Sequence, residues 1–302
     1  MIRSLALALL LACGRSQGVP DQDLGNLVLA PKHVEAPIDV DRAAKDPAEL
    51  GRALMRPYRD AIAAIGPHAL AVAMTTTVSE AGAATTELTE RYALELGDAD
   101  AFHGTYTNSA DYGRETIGLG KQLYLRPRYQ RWHARAPEAP DEPQQLRDGF
   151  ASALGATWEL FGFAAELTDQ GPAGVNGRAG RKIAVKLSPN PRTAPAEPLA
   201  QRAWRSGRVV DALAGEVILD ADKGVPLSVK LAGQISFARD GKRLAMKVAL
   251  DSSIASVGPV AIAAPPAGDV IATPERLKEV DDRDTLLDGF APPQKPKAGG
   301  KK

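Results

Sequence analysis

Several residue types and patterns that define large classes of protein are scarce in this sequence. It contains one cysteine, so no disulfide can form within the chain and stability must come from a packed core. Lysine plus arginine and aspartate plus glutamate both number 37, so no net charge draws the protein to nucleic acid or to an acidic surface. Aromatic residues make up 5% of the chain. The core must therefore be built mainly from leucine, valine, isoleucine and alanine.

Motifs for catalysis, metal binding and cofactor binding are equally scarce. The four histidines, His33, His68, His103 and His133, are scattered and lack the spacing that places two imidazoles on one helix face. No phosphate-binding loop is present. The sequence predicts no catalytic residue, no metal site and no cofactor, and a hydrolase is the least supported of the functions considered.

The N-terminus has the pattern of an export signal. Arg3 precedes the apolar run Leu5 to Ala12, which is too short to span a membrane as a helix, and Cys13 follows directly. Leu10-Leu11-Ala12-Cys13 resembles the lipobox of bacterial lipoproteins, in which the cysteine becomes the first mature residue and is acylated. The resemblance predicts a signal peptide over residues 1–12 and lipidation of Cys13.

Three segments are expected after the signal. Residues 13–45 have no sustained periodicity and several prolines and glycines, which predicts an acylated N-terminus and a flexible tether; the alternative is a segment that packs along the domain. Residues 46–266 are predicted to form a single β-rich domain. Residues 267–302 form a C-terminal extension, with a short helix near Pro274 to Leu287 and then a disordered tail of lysine, proline and glycine.

Two amphipathic helices are predicted. The first begins at Asp46-Pro47, an N-cap carboxylate followed by proline, ends at Gly66-Pro67, and is kinked or divided by Pro57. The second is predicted from about Gln144 to Leu167. Bulky side chains recur on one of its faces at Leu146, Phe150, Leu154, Trp158 and Phe161.

Most of the remaining sequence is typical of β-strands. From Leu213 to Val257 apolar residues fall on every second position, and Lys223-Gly224 and Asp240-Gly241 are typical of tight hairpin turns. Residues 68–135 contain a further series of strands, and 182–187 another. Thr168 to Arg178, rich in glycine, is predicted to be a loop. The expected fold is mainly β (α+β): a curved antiparallel sheet, or unclosed β-barrel, with the N-terminal helix and with the mid-chain helix packed on its concave face.

Two local patterns allow more than one interpretation. Arginines alternate with aromatic residues between Tyr124 and Arg135, at Arg126, Arg128, Arg131 and Arg135. Such a patch suits an anionic lipid headgroup, a phosphate-bearing glycan or a single-stranded nucleic acid, or else it is the solvated face of one strand; export argues against nucleic acid. Asp220 and Asp222 suggest a calcium loop, but the further spaced carboxylates of such a site are missing, so we expect a turn.

The order of these elements resembles that of a known group of proteins. From about Pro47 to Ile262 the chain resembles the lipoprotein-localisation-factor superfamily, which is LolA/LolB-like, and related envelope lipid-binding lipoproteins. The most detailed similarity is in the hairpin sequence from Gly215 to Asp220 and from Lys223 to Leu227, which resembles the strand, aspartate, Gly-(Leu/Val)-Pro turn and strand of such proteins. The resemblance implies an unclosed barrel that binds acyl chains inside, with helices acting as a lid.

The resemblance also implies a function and a site. We expect a membrane-anchored, non-catalytic lipoprotein of the cell envelope whose partners are the membrane, a lipid ligand or an envelope protein, and not nucleic acid. An aspartate directly after the lipidated cysteine would favour retention in the inner membrane. This chain has Gly14 there, which indicates the outer membrane. The alternative is a solid-cored lipoprotein that scaffolds an envelope partner. The candidate cavity residues are Leu227, Val229, Leu231, Ile235, Phe237, Leu244, Met246, Val248, Phe150, Leu154, Trp158 and Phe161.

Overall fold

The computed structural model describes residues 36–80, 85–197 and 200–272. Within these residues the helices are Val40–Ala43 (α1), Pro47–Met55 (α2), Tyr58–Ile65 (α3), Glu142–Asp148 (α4) and Ser152–Phe161 (α5). The strands are His68–Glu80 (β1), Thr86–Leu96 (β2), Phe102–Asn108 (β3), Gly113–Leu119 (β4), Gln122–Pro127 (β5), Trp132–Arg135 (β6), Ala165–Val175 (β7), Arg178–Leu187 (β8), Val209–Asp220 (β9), Pro226–Arg239 (β10), Lys242–Val257 (β11) and Val270–Ala272 (β12). Short 3-10 turns occupy Gly162–Ala164, Ala200–Arg205 and Ala267–Asp269.

All twelve of these strands belong to one sheet. Their order is β12-β6-β5-β4-β3-β2-β1-β11-β10-β9-β8-β7, and every pair is antiparallel except β12 with β6. The end strands β12 and β7 do not pair with each other, so the sheet does not close. The predicted fold class, a curved and largely antiparallel sheet or unclosed barrel with helices, is confirmed.

The predicted meander forms the middle of this sheet. Strands β9, β10 and β11 pair in sequence, and alternate residues of β10 from Leu227 to Phe237 are buried. Asp240 and Gly241 connect β10 to β11 with positive φ angles of 53° and 76°, and Arg239 pairs with Lys242. Two consecutive residues with positive φ give the turn whose twist matches the flanking strands, which is why Asp-Gly indicates a hairpin.

The N-terminal helices follow the predicted punctuation. The Asp46 side chain accepts a hydrogen bond from the backbone N–H of Ala48 at 2.9 Å, so it caps α2. Helix α2 ends at Met55 and α3 begins at Tyr58, because Pro57 cannot donate to a helical hydrogen bond. The predicted helix is therefore divided in two at that proline.

The mid-chain helix is shorter and more interrupted than the predicted span from Gln144 to Leu167. Between α4 and α5 the backbone N–H groups of Phe150 and Ala151 donate to the carbonyls of Arg147 and Asp148, three residues earlier. This is the 3-10 pattern, which is tighter than that of an α-helix. After Phe161 the chain makes a 3-10 turn and then enters β7. Leu167 therefore lies on a strand, where pairing with β8 outweighs the helical periodicity.

The segment from Thr168 to Arg178 was wrongly predicted as a loop. Most of it belongs to β7, which pairs with β8 through a turn at Asn176 and Gly177. Pro172 is tolerated because β7 lies at the edge of the sheet, where one row of N–H groups has no strand partner. The register shifts between Asp169 and Gly171, so a bulge takes up the irregular sequence.

The folded part extends beyond the predicted limits of 46 and 266. Ala43 and Ala44 have no accessible surface, so this end of the predicted tether is part of the core. At the other end β12 pairs with β6 at Trp132 and His133. The predicted signal peptide, Cys13 and the helix near Pro274 to Leu287 lie outside the described residues.

Candidate ligand-binding face

The sheet residues of the predicted cavity set lie on one face, and the helices cover much of it. Eleven of the twelve side chains are buried, and Leu244 is half-buried. On β1 the same face continues through Leu70 and Val72 to Met74 and Val78, because side chains alternate along a strand. The structure therefore brings the predicted residues together, but eleven of them are buried and Leu244 remains partly exposed.

Helix α5 and the short connection that precedes it meet the sheet at positions where the sheet has no side chain. A Cβ on Gly104 of β3 would lie 2.3 Å from the ring of Phe150, and one on Gly233 of β10 would lie 2.5 Å from that of Phe161. Both rings therefore rest directly on the backbone of the sheet. Trp158 instead lies against α2, where a Cβ on Gly51 would come within 2.7 Å of its indole nitrogen.

The space between α5 and β10 is filled. Leu227, Ile235 and Phe161 have 0% exposure. The wall of an internal cavity large enough for water would count as exposed surface. No water-sized void therefore adjoins these three side chains. In this conformation an acyl chain cannot lie between them.

The same face is less covered farther along β1, although Met74 still contacts α5, whose Thr157 hydroxyl lies 4.0 Å from the Met74 sulfur. Met74, Thr76 and Val78 of β1, Leu88 of β2 and Leu244 of β11 are all half-buried, and we call these five residues the open strip. In the register of the sheet, Thr76 pairs with Leu88 and with Val248. Phe237 and Met246 border the strip with only 7% exposure each.

The sequence predicted the alternation of β1 and β2 but did not assign the open strip to the site. Only Leu244 belongs to the predicted cavity set. The period-2 pattern that identified β10 and β11 is also present at Leu70, Val72, Met74 and Val78, so the signal was available. What the pattern does not contain is the position of α5, which separates covered from uncovered residues.

A polar group lies at the β2 end of the open strip. Glu90 pairs with Met74 in the sheet, is 3% exposed, and accepts hydrogen bonds from the hydroxyls of Tyr92 and Tyr106 at 3.0 and 2.8 Å. Burial, followed by the hydrogen bond to Glu90, raises the pKa of Tyr106 to about 12. Burial also raises the pKa of Tyr92. Both tyrosines therefore stay protonated at neutral pH, and each can donate a hydrogen bond to the Glu90 carboxyl group.

The histidines among the described residues, His68, His103 and His133, belong to no cluster that could hold a metal ion. His68 is buried, with Nδ1 donating to the carbonyl of Gly66 at 2.8 Å and Nε2 accepting from the Tyr58 hydroxyl at 2.7 Å. Since the Gly66 carbonyl can only accept, the proton of the neutral ring lies on Nδ1. In the part of the chain that the structure describes, no group of three or more histidine, cysteine, aspartate or glutamate residues is placed to hold a metal ion.

The two open patterns take ordinary structural roles. Arg126, Arg128 and Arg135 pair with Glu115, Asp111 and Glu142. The Arg131 guanidinium donates to the carbonyl of Gly268, so three arginines of the row from Arg126 to Arg135 have carboxylate partners and the fourth is held by a carbonyl. Asp220 accepts from the backbone N–H groups of Asp222 and Lys223 and binds Arg178 at 2.7 Å, which makes a turn as predicted.

Among the described residues no helix is both long enough and apolar enough to cross a bilayer.

Comparisons with known proteins give matches among solved structures only. No protein-family model matches the chain, and no curated protein matches it significantly. Mycobacterium tuberculosis lipoprotein LppX matches with 16% identity, 69% of this chain and 98% of the other covered, and a TM-score of 0.26. An outer membrane lipoprotein-sorting protein domain from Vibrio parahaemolyticus matches with 9% identity, 78% and 99% coverage and a TM-score of 0.23.

A LolA superfamily protein from Nitrosomonas europaea also matches, with 6% identity, 74% and 96% coverage and a TM-score of 0.22. The matches thus include the superfamily that the sequence resembles. At these TM-scores they transfer no residue, ligand or partner to this chain.

Proposed function

We propose that this protein is a non-catalytic envelope lipoprotein that binds an acyl chain along the open strip of its sheet. The observation that carries the proposal is the half-buried apolar row of Met74, Val78, Leu88 and Leu244 on the same face as the core. Burial of such a row by an acyl chain is favourable, because each CH₂ removed from water contributes about 0.8 kcal/mol. Glu90, with its two tyrosine donors, supplies a polar end to an otherwise apolar surface.

The other predicted cavity residues enter this proposal as the wall behind the ligand. Phe237 and Met246 border the strip, whereas Leu227, Val229, Leu231, Ile235, Val248, Phe150, Leu154, Trp158 and Phe161 are packed beneath or within the helices. A ligand reaches that second group only if α5 moves away from the sheet. We therefore propose a lid role for α5 as the route to a larger cavity.

Native mass spectrometry of the full chain carrying Cys13→Ser, mixed with a bacterial lipid extract, tests the acyl-chain proposal. We expect a retained lipid in the parent protein and its loss in a Val78→Asn/Leu244→Asn variant, because the asparagine side chains replace apolar surface of the open strip with polar surface. Ala249→Asn, on the opposite face of β11 and exposed, is the matched control and should retain the lipid. A parent protein that retains no lipid overturns the proposal.

Anchoring is a separate part of the proposal. We infer acylation of Cys13 and attachment to the outer membrane from the lipobox and from Gly14. Radiolabelled palmitate should enter the wild-type chain and not the Cys13→Ser variant, and the variant should leave the membrane fraction. Equal labelling of the two chains contradicts the lipobox assignment.

One observation favours a scaffold as the second candidate function. Leu227, Ile235 and Phe161 are fully buried, as they would be in a protein whose core never opens. In that case an envelope protein binds the outer surface and the core only supports it. Locking α5 to the sheet distinguishes the two: a disulfide engineered between α5 and β1 abolishes uptake into a cavity beneath α5 but leaves a scaffold unaffected.

A further inference from the structure

A second cleft lies on the other side of the helices, away from the open strip. It has a volume of about 370 Å³ and lies between α2, the C-terminal end of α5 and the segments 192–197 and 202–208. Met55, Trp158 and Phe163 give it an apolar floor, and Met55 is 49% exposed. Four arginines, Arg192, Arg202, Arg205 and Arg208, also line it, and we call it the arginine cleft.

Positive charge exceeds negative charge in the arginine cleft. Its lining contains four arginines but only two carboxylates, Glu159 and Glu197. Arg205 and Arg202 share one of them, Glu159, at 3.2 and 3.8 Å. Each guanidinium therefore has less than one full counter-charge.

The other two arginines are held by carbonyl groups. Arg208 donates to the carbonyls of Glu159 and Leu160 and so caps the last turn of α5, while Arg192 donates to the carbonyl of Phe163 at 3.4 Å. Within the described ranges neither has a carboxylate within 4.0 Å. A carbonyl orients a guanidinium but leaves its charge uncompensated.

Burial makes this arrangement unfavourable without a further anion. Arg205 Nε is buried and has no hydrogen-bond partner, so one strong donor is unused. Arg208 also donates to the backbone carbonyl of Arg205, so the two residues are in direct contact. Burial, and secondarily the charge of Arg205, lowers the pKa of Arg208, while Glu197 and Glu159 act in the opposite direction. Two like charges and an unused donor beside an open cleft are the conditions that a bound phosphate or carboxylate relieves.

The contrast with the row from Arg126 to Arg135 supports a binding role. In that row Arg126, Arg128 and Arg135 each have a carboxylate of the protein as a partner, and Arg131 donates to a backbone carbonyl. Three of the four arginines in that row therefore have a carboxylate partner, whereas in the arginine cleft Arg202 and Arg205 share one. The apolar floor of the arginine cleft includes Met55, which is 49% exposed, beside Trp158, which is buried.

We propose that the arginine cleft binds an anionic group, a phosphate or a carboxylate, that belongs to an amphiphile whose apolar part lies against Met55, Trp158 and Phe163. The site shares no residue with the open strip, so it goes beyond the proposed acyl-chain binding. Arg202 and Arg205 contact the anion, and Arg208 and Arg192 add charge while they hold the end of α5 and the adjoining loop.

Isothermal titration calorimetry with two probes tests the proposal on the full chain carrying Cys13→Ser. The probes are lysophosphatidylglycerol, below its micelle concentration, and inorganic phosphate. We expect saturable binding of lysophosphatidylglycerol, weakened about tenfold or more in Arg202→Gln/Arg205→Gln, since charge-assisted hydrogen bonds are lost. The matched control is Arg91→Gln/Arg243→Gln, which removes two exposed arginines elsewhere and should bind like the parent.

The two probes distinguish the sources of the anion. Tighter binding of the lysolipid supports an amphiphile, whereas equal affinity for both probes indicates a site for a free anion and overturns the apolar contact with Met55, Trp158 and Phe163. Absence of saturable binding by either probe, or equal binding by the two double variants, overturns the proposal. If the Arg202→Gln/Arg205→Gln protein does not fold, Arg192→Gln, at an exposed position, replaces it.

The experiment also separates this site from the acyl-chain site. The Val78→Asn/Leu244→Asn variant should bind inorganic phosphate with unchanged affinity, and it should keep a lysophosphatidylglycerol site that is weakened when Arg202→Gln/Arg205→Gln is added. Complete loss of lysolipid binding in the Val78→Asn/Leu244→Asn variant would place the lysolipid on the open strip alone and would overturn its assignment to the arginine cleft.

Discussion

The covered and the open parts of the concave face are built from the same strands but have different partners. Under α5 and the connection before it, the sheet has glycine at Gly104 and Gly233, and the rings of Phe150 and Phe161 rest on its backbone. Along the open strip, Met74, Val78 and Leu244 keep their side chains and are half-exposed. The apolar surface of the covered part is thus buried when the chain folds, whereas the open strip keeps apolar surface that another molecule can contact.

Replacing the indole between α2 and α5 tests whether the covered part is a fixed core. Trp158 is 4% exposed and packs against Gly51, so Trp158→Ala should lower the free energy of unfolding by about 3–5 kcal/mol. Urea denaturation followed by circular dichroism measures it. A much smaller loss accompanied by altered lipid retention would indicate that α5 is a movable lid.

A methyl group under Phe161 tests the same part of the face in the opposite direction. Gly233→Ala places a Cβ about 2.5 Å from the ring, so the ring or the helix must shift, and overpacking of this kind costs about 1–3 kcal/mol. Thermal denaturation compares it with Gly207→Ala, where a Cβ meets no atom within 4 Å. Equal melting temperatures would mean that α5 is not seated on the sheet.

Protonation of His68 probes whether the covered part stays closed at mildly acidic pH. Burial lowers the pKa of His68, so the unfolded chain takes up this proton at a higher pH than the folded chain does. The stabilisation from the neutral ring is complete above the unfolded pKa of about 6.5 and is lost as the pH falls through the lower folded value. The unfolding free energy should therefore drop more steeply below pH 6.5 in the parent than in His68→Gln.

His133→Gln is the control for that titration, because His133 is half-exposed on β6. It should follow the parent curve, since the carboxylates that titrate at lower pH are unchanged. Identical slopes for His68→Gln and the parent would show that His68 does not resist protonation, and the closed state would then admit water at acidic pH.

Truncation on the open strip should have the smallest effect on stability. Leu244→Ala removes a half-buried side chain, and we expect a loss within about 1 kcal/mol, because little core contact disappears. The same variant should retain less lipid in native mass spectrometry. A loss as large as that of Trp158→Ala would show that the strip is core and would remove the distinction between the two parts.

Much of the fold could be predicted from local chemistry. The alternation in β10 and β11, the Asp240-Gly241 turn and the Asp46-Pro47 helix start each contain their own signal, because pleat, positive φ and capping are decided within a few residues. The edge strand β7 was missed because glycine and proline in its middle hid the Asn176-Gly177 turn, which is itself a strong hairpin signal.

The candidate site could be predicted only in part. The side chains that share a face follow from periodicity, but which of them are covered depends on where α5 crosses the sheet. That crossing depends on contacts such as Phe150 with Gly104 and Phe161 with Gly233, which are distant in sequence. The arginine cleft was not predicted either, because α2, α5 and the segments 192–197 and 202–208 come together only in the folded chain.

The bulge and proline of β7 have a consequence for the solubility of the molecule. A free sheet edge is a template on which a strand of a second molecule can add, and long regular edges promote aggregation. Pro172 offers no N–H, and the shift between Asp169 and Gly171 breaks the ladder near the middle of the strand. The irregularity that disguised this strand in the sequence thus lets an unclosed sheet end in water without recruiting a neighbour.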